Sequence, residues 1–131
     1  MTKEFVPYQE ALELKELGFD EPCFTWYWDD IGLYNGLQLG NHNKSLVYVS
    51  APLYQQAFKW FREKHMIKGY ISHSSSMGGY KVSIYKWNND NNVGKWERLS
   101  PLGTFVSYEE AEISCLKKLI EIVKYENKKS T

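Results

Sequence analysis

The chain is poor in the features that announce a compartment or a chemistry. Among its 131 residues are two cysteines and four prolines, and 16 basic side chains are matched by 16 acidic ones. Zero formal charge excludes a global polybasic attraction to nucleic acid or anionic lipid, so only a local patch can supply one. No apolar run approaches the ~18 residues of a membrane span, and the opening MTKEFVPYQEALELK has acids and no small-residue cleavage site after an apolar stretch. A cytoplasmic protein without a membrane partner is therefore expected. Cys23 and Cys115 each lie in an apolar stretch with no second cysteine or histidine at ligand spacing, which favours buried free thiols over a disulfide or a metal site.

Catalytic motifs are equally scarce. The serine-rich 74–79 segment lacks the Lys-Ser/Thr of a phosphate loop, although its amides could hold an anion, and no Gly-x-Ser-x-Gly elbow occurs. His73 and Ser74 are neighbours on a strand, so their side chains point apart. His42, His65 and His73 have no spacing that brings two onto one face, which leaves no metal site to name. The carboxylate pairs Asp20 with Glu21 and Asp29 with Asp30 fall in turns, where nothing suggests the desolvation that raises a pKa. No catalytic residue and no cofactor is assigned, and an enzyme is not expected.

What is present is an ordinary globular balance, 43% hydrophobic and 24% charged, carrying 16% aromatics. That predicts one domain over 1–131 able to fold without staples. Residues 8–17 read as a helix stopped by Gly18, with Ala11, Leu14 and Leu17 on one face and Phe19 placed to pack back on Leu14. Cys23–Trp28 is dense in strand formers, and a second strand is expected within 33–49, most firmly at Leu46–Val49. Ser50 is positioned to cap a helix reaching His65, with Leu53, Tyr54, Ala57, Phe58, Trp60 and Phe61 on its apolar side. After Gly69, strands at 70–73, 80–87 and 95–99 form a meander, the last two joined by an Asn-rich hairpin loop at 88–92. Ser107 with Glu110 forms a capping box that opens a long amphipathic helix, ending in a frayed tail at 126–131. The fold class is α+β, with three helices packed on an antiparallel sheet of four to five strands.

The charges are unevenly spread. Residues 1–58 carry three basic and eight acidic side chains, 59–98 carry eight and three, and the remainder balances at five each. The basic middle includes Lys59, Arg62, Lys64, Lys68, Lys81, Lys86, Lys95 and Arg98, interleaved with Tyr70, Tyr85, Trp87 and Trp96. Rings stack bases and cations hold phosphates, so Lys59, Arg62, Lys81, Tyr85, Trp87, Trp96 and Arg98 are candidate contacts for a nucleotide or a single strand. Five Trp and ten Tyr exceed what one small core buries with each polar tip satisfied. Tyr27, Trp28, Tyr34, Tyr54 and Trp60 are the expected members of an exposed contact patch, and a homodimer pairing the acidic amino-terminal part with the basic meander would use both features.

Three segments carry a resemblance: EALELKELGFDEPCF at 10–24, APLYQQAFKWFREKH at 51–65 and SYEEAEISCLKKLIEIVK at 107–124. They resemble a family of small uncharacterised proteins encoded by bacteriophages and mobile elements of gut Bacteroidota. The resemblance implies a phage accessory protein in the host cytoplasm, acting on a host or defence component, and it assigns no site residue. The sequence thus predicts a non-enzymatic interaction module using exposed aromatics and the basic meander, with nucleotide or nucleic-acid binding at the same surface as the alternative.

Overall fold

The computed structural model of the chain describes residues 4–29, 32–74, 78–89, 93–99 and 103–129. Their order is α1 (Tyr8–Glu16), β1 (Thr25–Trp28), β2 (Tyr48–Ala51), α2 (Tyr54–Lys64), β3 (Ile67–Ser74), β4 (Gly79–Asn88), β5 (Lys95–Arg98), β6 (Thr104–Phe105) and α3 (Tyr108–Lys129). This is an α+β fold of three helices and two antiparallel sheets, the strands dividing between a β1–β2 pair and a four-stranded sheet. Residues 1–60 and 61–131 each form a compact unit, with α2 running through the boundary. No described helix is long and apolar enough to cross a membrane. Residues 75–77 of the serine–glycine segment, 90–92 of the Asn-rich loop and 130–131 of the tail lie outside the described residues.

In the first unit, α1 ends as its sequence dictates. Gly18 takes the left-handed conformation (φ 95°), and the Phe19 N–H donates to the Leu14 carbonyl at 2.9 Å, closing the cap. Lys15 then donates to the Ser45 and Tyr48 carbonyls at 2.7 Å each, fixing α1 to the entrance of β2. Asn43 stitches the same region from the other side: its Oδ1 accepts from the Ser50 N–H at 2.8 Å and its Nδ2 donates to the Phe19 carbonyl at 2.9 Å.

Three expectations need correction here. The β2 strand starts at Tyr48 rather than Leu46, because Ser45 Oγ accepts the N–H groups of both Val47 and Tyr48 and holds the preceding residues in a turn that leaves Leu46 fully exposed. Ser50 is therefore a strand residue and not a helix cap. The start of α2 is secured instead by Gln56 Oε1, which accepts from the Leu53 N–H at 2.8 Å. Between them, residues 32–40 form no regular strand but follow the free edge of β1 through single bonds, Tyr34 N–H to the Trp26 carbonyl and Gln38 N–H to the Phe24 carbonyl.

In the second unit, β3 and β4 pair along their full length, from Ile67 opposite Lys86 to Ser74 opposite Gly79. β5 and the two-residue β6 share the other edge of β4, opposite its Tyr85–Asn88 and Tyr80–Lys81 ends. The helix α3 covers one face of this sheet, packing on β3 and β4. Its start is capped as expected, with Ser107 Oγ accepting from the Glu110 N–H at 3.1 Å. Ala111, Cys115, Leu116, Leu119, Ile120 and Val123 make its buried side as the periodicity predicts, whereas Ile122, expected with them, is only partly buried.

Two boundaries differ from the expectation. The helix continues to Lys129 instead of fraying from 126, and an ion pair from Lys86 to Glu126 ties that last stretch to β4. The β3 strand runs through Gly69 rather than starting after it. Glycine is needed because a Cβ there would lie 2.3 Å from Cys115 Sγ, so α3 approaches the strand as closely as a backbone allows.

Candidate functional site

Alternation along the strands sorts the second unit's side chains onto two faces. Ile67, Val82 and Ile84 are buried, the Tyr80 ring meets Tyr108 of α3 at 5.7 Å, and Lys86 pairs with Glu126, so these residues mark the helix side. The registers then place Lys68, Tyr70, Lys81, Tyr85, Trp87, Trp96 and Arg98 together on the opposite face. Tyr70 is half exposed and Arg98 is exposed, while the others are partly covered.

The rings on this face are locked edge to face. Tyr70 meets Tyr85 at 5.8 Å and 72°, and Trp87 meets Trp96 at 5.3 Å and 71°. Lys68 joins the two pairs, its Nζ standing 4.1 Å above the Trp96 ring and 5.4 Å and 6.0 Å from the Tyr70 and Tyr85 centroids. The backbone at Gly94 presses on the Trp87 indole so closely that a Cβ would fall 2.0 Å from the ring, and this fixes the ring's position from the side.

The charge on this face has one sign. Lys68, Lys81 and Arg98 belong to it, whereas Glu97, the acid of the described strands, is opposite Lys86 and so lies on the helix side. Among the described residues neither Lys81 nor Arg98 forms an ion pair. Aromatic surface and uncompensated positive charge thus coincide, over a length on β4 of ~20 Å at the usual rise per residue.

Of the residues singled out from the sequence, Lys81, Tyr85, Trp87, Trp96 and Arg98 are brought together here. Lys59 and Arg62 are exposed residues of α2 and not members of this sheet face. Lys68 and Tyr70, which the sequence places only within the basic middle, belong to the site as well. Their signal was a two-residue alternation that becomes visible once the strand is carried back through Gly69.

The expected patch on residues 1–60 is corrected more heavily. Tyr54 and Trp60 are buried, at 6% and 3% exposure. Tyr27 is half buried, donates its hydroxyl to the Val6 carbonyl at 2.7 Å and sets its ring against Tyr8; burial, then Glu10, pushes its pKa up. Trp28 and Tyr34 are exposed as expected, with Tyr34 lying flat on Trp26 at 4.0 Å and 9°. Leu37 and Leu39, which the sequence does not single out, are exposed as well, and Leu37 joins Phe5, Phe24, Leu33 and Tyr34 in lining a cavity of about 500 Å³ with Glu4 at its side.

The remaining titratable groups stand apart. His42 packs on Trp26 and bonds the Gln38 carbonyl, His65 lies beside Phe61 with its pKa lowered by burial and by Lys64, and His73 meets Tyr80. No group of metal-binding side chains occurs among the described residues. Both thiols are buried and unbonded to each other. No family model matches the chain, and no curated protein or solved structure matches it either.

Proposed function

We propose that this protein is a binding module and that the face carrying Tyr70, Tyr85, Trp87, Trp96, Lys68, Lys81 and Arg98 takes single-stranded nucleic acid. The observation that carries the proposal is the coincidence of partly exposed rings with like-signed cations, of which Lys81 and Arg98 form no ion pair among the described residues, on one side of the four-stranded sheet. Each base stacked on an aromatic ring contributes ~1–3 kcal/mol without regard to sequence, and the cations hold the phosphates between bases. The edge-to-face ring pairs suit this role because they present ring faces in differing directions, and an unpaired strand can splay its bases to meet them.

Binding of a short oligonucleotide, followed across a salt series, tests the reading. Three phosphate contacts predict a slope of log affinity against log salt of ~2, since each contact on a single strand contributes ~0.7. Arg98→Ala is expected to lower that slope by ~0.7. Trp87→Ala is expected to weaken binding about tenfold at every salt concentration and to leave the slope unchanged, because it removes stacking and no charge. Absence of binding at low salt would sink the proposal.

A second reading rests on different residues. Phe24, Tyr34 and Leu37 are 41%, 44% and 75% exposed and line the cavity of the first unit, an apolar grouping of the kind that marks protein contacts. An interaction made there responds weakly to salt and is unaffected by Arg98→Ala. The phage setting implied by the three resembling segments belongs to this same proposal and rests on those segments alone.

A further inference from the structure

The strand β3 is eight residues long, and among the described strands it pairs with β4 alone. The Trp87 N–H donates to the Met66 carbonyl, so the even-numbered residues of β3 turn their backbone groups toward β4. Alternation then turns the N–H and C=O groups of Ile67, Gly69, Ile71 and His73 outward. Soluble proteins usually blunt such an edge with a proline, a bulge or a lysine aimed along it. The described strand has neither proline nor bulge, and Lys68, its one full charge, is drawn inward across the sheet to Trp96.

We infer that this edge pairs with the same edge of a second copy, antiparallel about a two-fold axis at Tyr70. In that register Gly69 exchanges hydrogen bonds with the partner's Ile71, and Ile67 with the partner's His73, so every outward backbone group of the strand is used. A shift of the axis by one residue either way leaves a terminal pair unmatched. The register also keeps like charges apart, setting Lys68 opposite Ser72, and it covers Tyr70, half exposed in the single chain, with its own symmetry mate. Two copies form one continuous sheet whose cationic faces lie on the same side. This differs from a dimer made by joining the acidic and basic parts of the sequence, since the contact is made by the neutral backbone of β3.

Light scattering across a dilution series tests the inference. The wild-type chain is expected at twice 15.4 kDa when concentrated, falling to 15.4 kDa on dilution. Ser72→Lys sets one lysine opposite each Lys68 of the pair and is expected to weaken the dimer about fivefold, while Ser72→Glu strengthens it by a similar factor. His73→Pro removes an outward N–H that an edge strand can spare and is expected to weaken the dimer about tenfold, with circular dichroism showing the monomer folded. A mass of 15.4 kDa at every concentration, or a dimer indifferent to all three substitutions, overturns the inference. Oligonucleotide binding measured on the same wild-type samples separates the two proposals: a monomer that binds overturns this one alone, and a dimer that does not bind overturns only the other.

Discussion

Gly69→Ala is expected to cost the protein about 2–4 kcal/mol, an unusual penalty for one methyl group. The Cβ would sit 2.3 Å from Cys115 Sγ, well inside van der Waals contact, with Leu119 and Ile84 also within 4.0 Å. Cys115 is fully buried on α3 between turns that also bury Ala111 and Leu119, so relief requires lifting the helix from β3 and β4 and opening voids along the contact. Chemical denaturation with circular dichroism reads the loss as a lower transition midpoint. The double variant Gly69→Ala, Cys115→Ala is expected to recover more than half of it, because the small side chain at 115 vacates the volume that the new methyl group needs. Failure of the second substitution to rescue the first would show that the close approach is not what the glycine serves.

The second large effect is chemical. Burial pushes the thiols of Cys23 and Cys115 up to about 12, and in Cys115 the nearby Glu112 adds to the shift. At pH 8 a thiol of that pKa is ionised ~1,000-fold less than one at 9, and the thiolate is the reactive form. Labelling by a disulfide reagent at pH 8 is expected to be at least ~1,000-fold slower in the native protein than in denaturant, with both thiols appearing together on unfolding. Fast labelling of one thiol under native conditions would show a local opening around it. Gly69→Ala should accelerate Cys115 selectively, which links this measurement to the first.

The helices were the most legible part of the fold. Gly18 as a stop, Ser107 as a cap and the buried stripe of α3 are local or periodic signals, and the structure contains each of them. Strand edges were harder, because their limits are set by partners distant in sequence. The strand reads as starting after Gly69 because the reason for a glycine inside it, Cys115, lies 46 positions away. The two residues of β6 carry no periodic pattern at all and exist through pairing with β4.

Membership of the candidate site followed the same division. Alternation within 80–87 puts Lys81, Ser83 and Tyr85 on one face from sequence alone, but joining Trp87, Trp96, Arg98, Lys68 and Tyr70 to them requires the register of three strands. The exposed patch was misread for a related reason. The aromatic surplus is absorbed partly by burial of Tyr54 and Trp60 and partly by ring-on-ring contacts such as Trp26 with Tyr34, which composition does not reveal.

The perch of Lys68 above Trp96 bears on what the sheet will accept. An uncharged flat molecule seeking that indole must evict the ammonium and offers it nothing in exchange. A visitor bearing negative groups leaves the ammonium a welcome neighbour on either side, ring below and anion above. If the sheet binds nucleic acid as proposed, the same lysine that covers the indole would select for anionic aromatics over neutral ones.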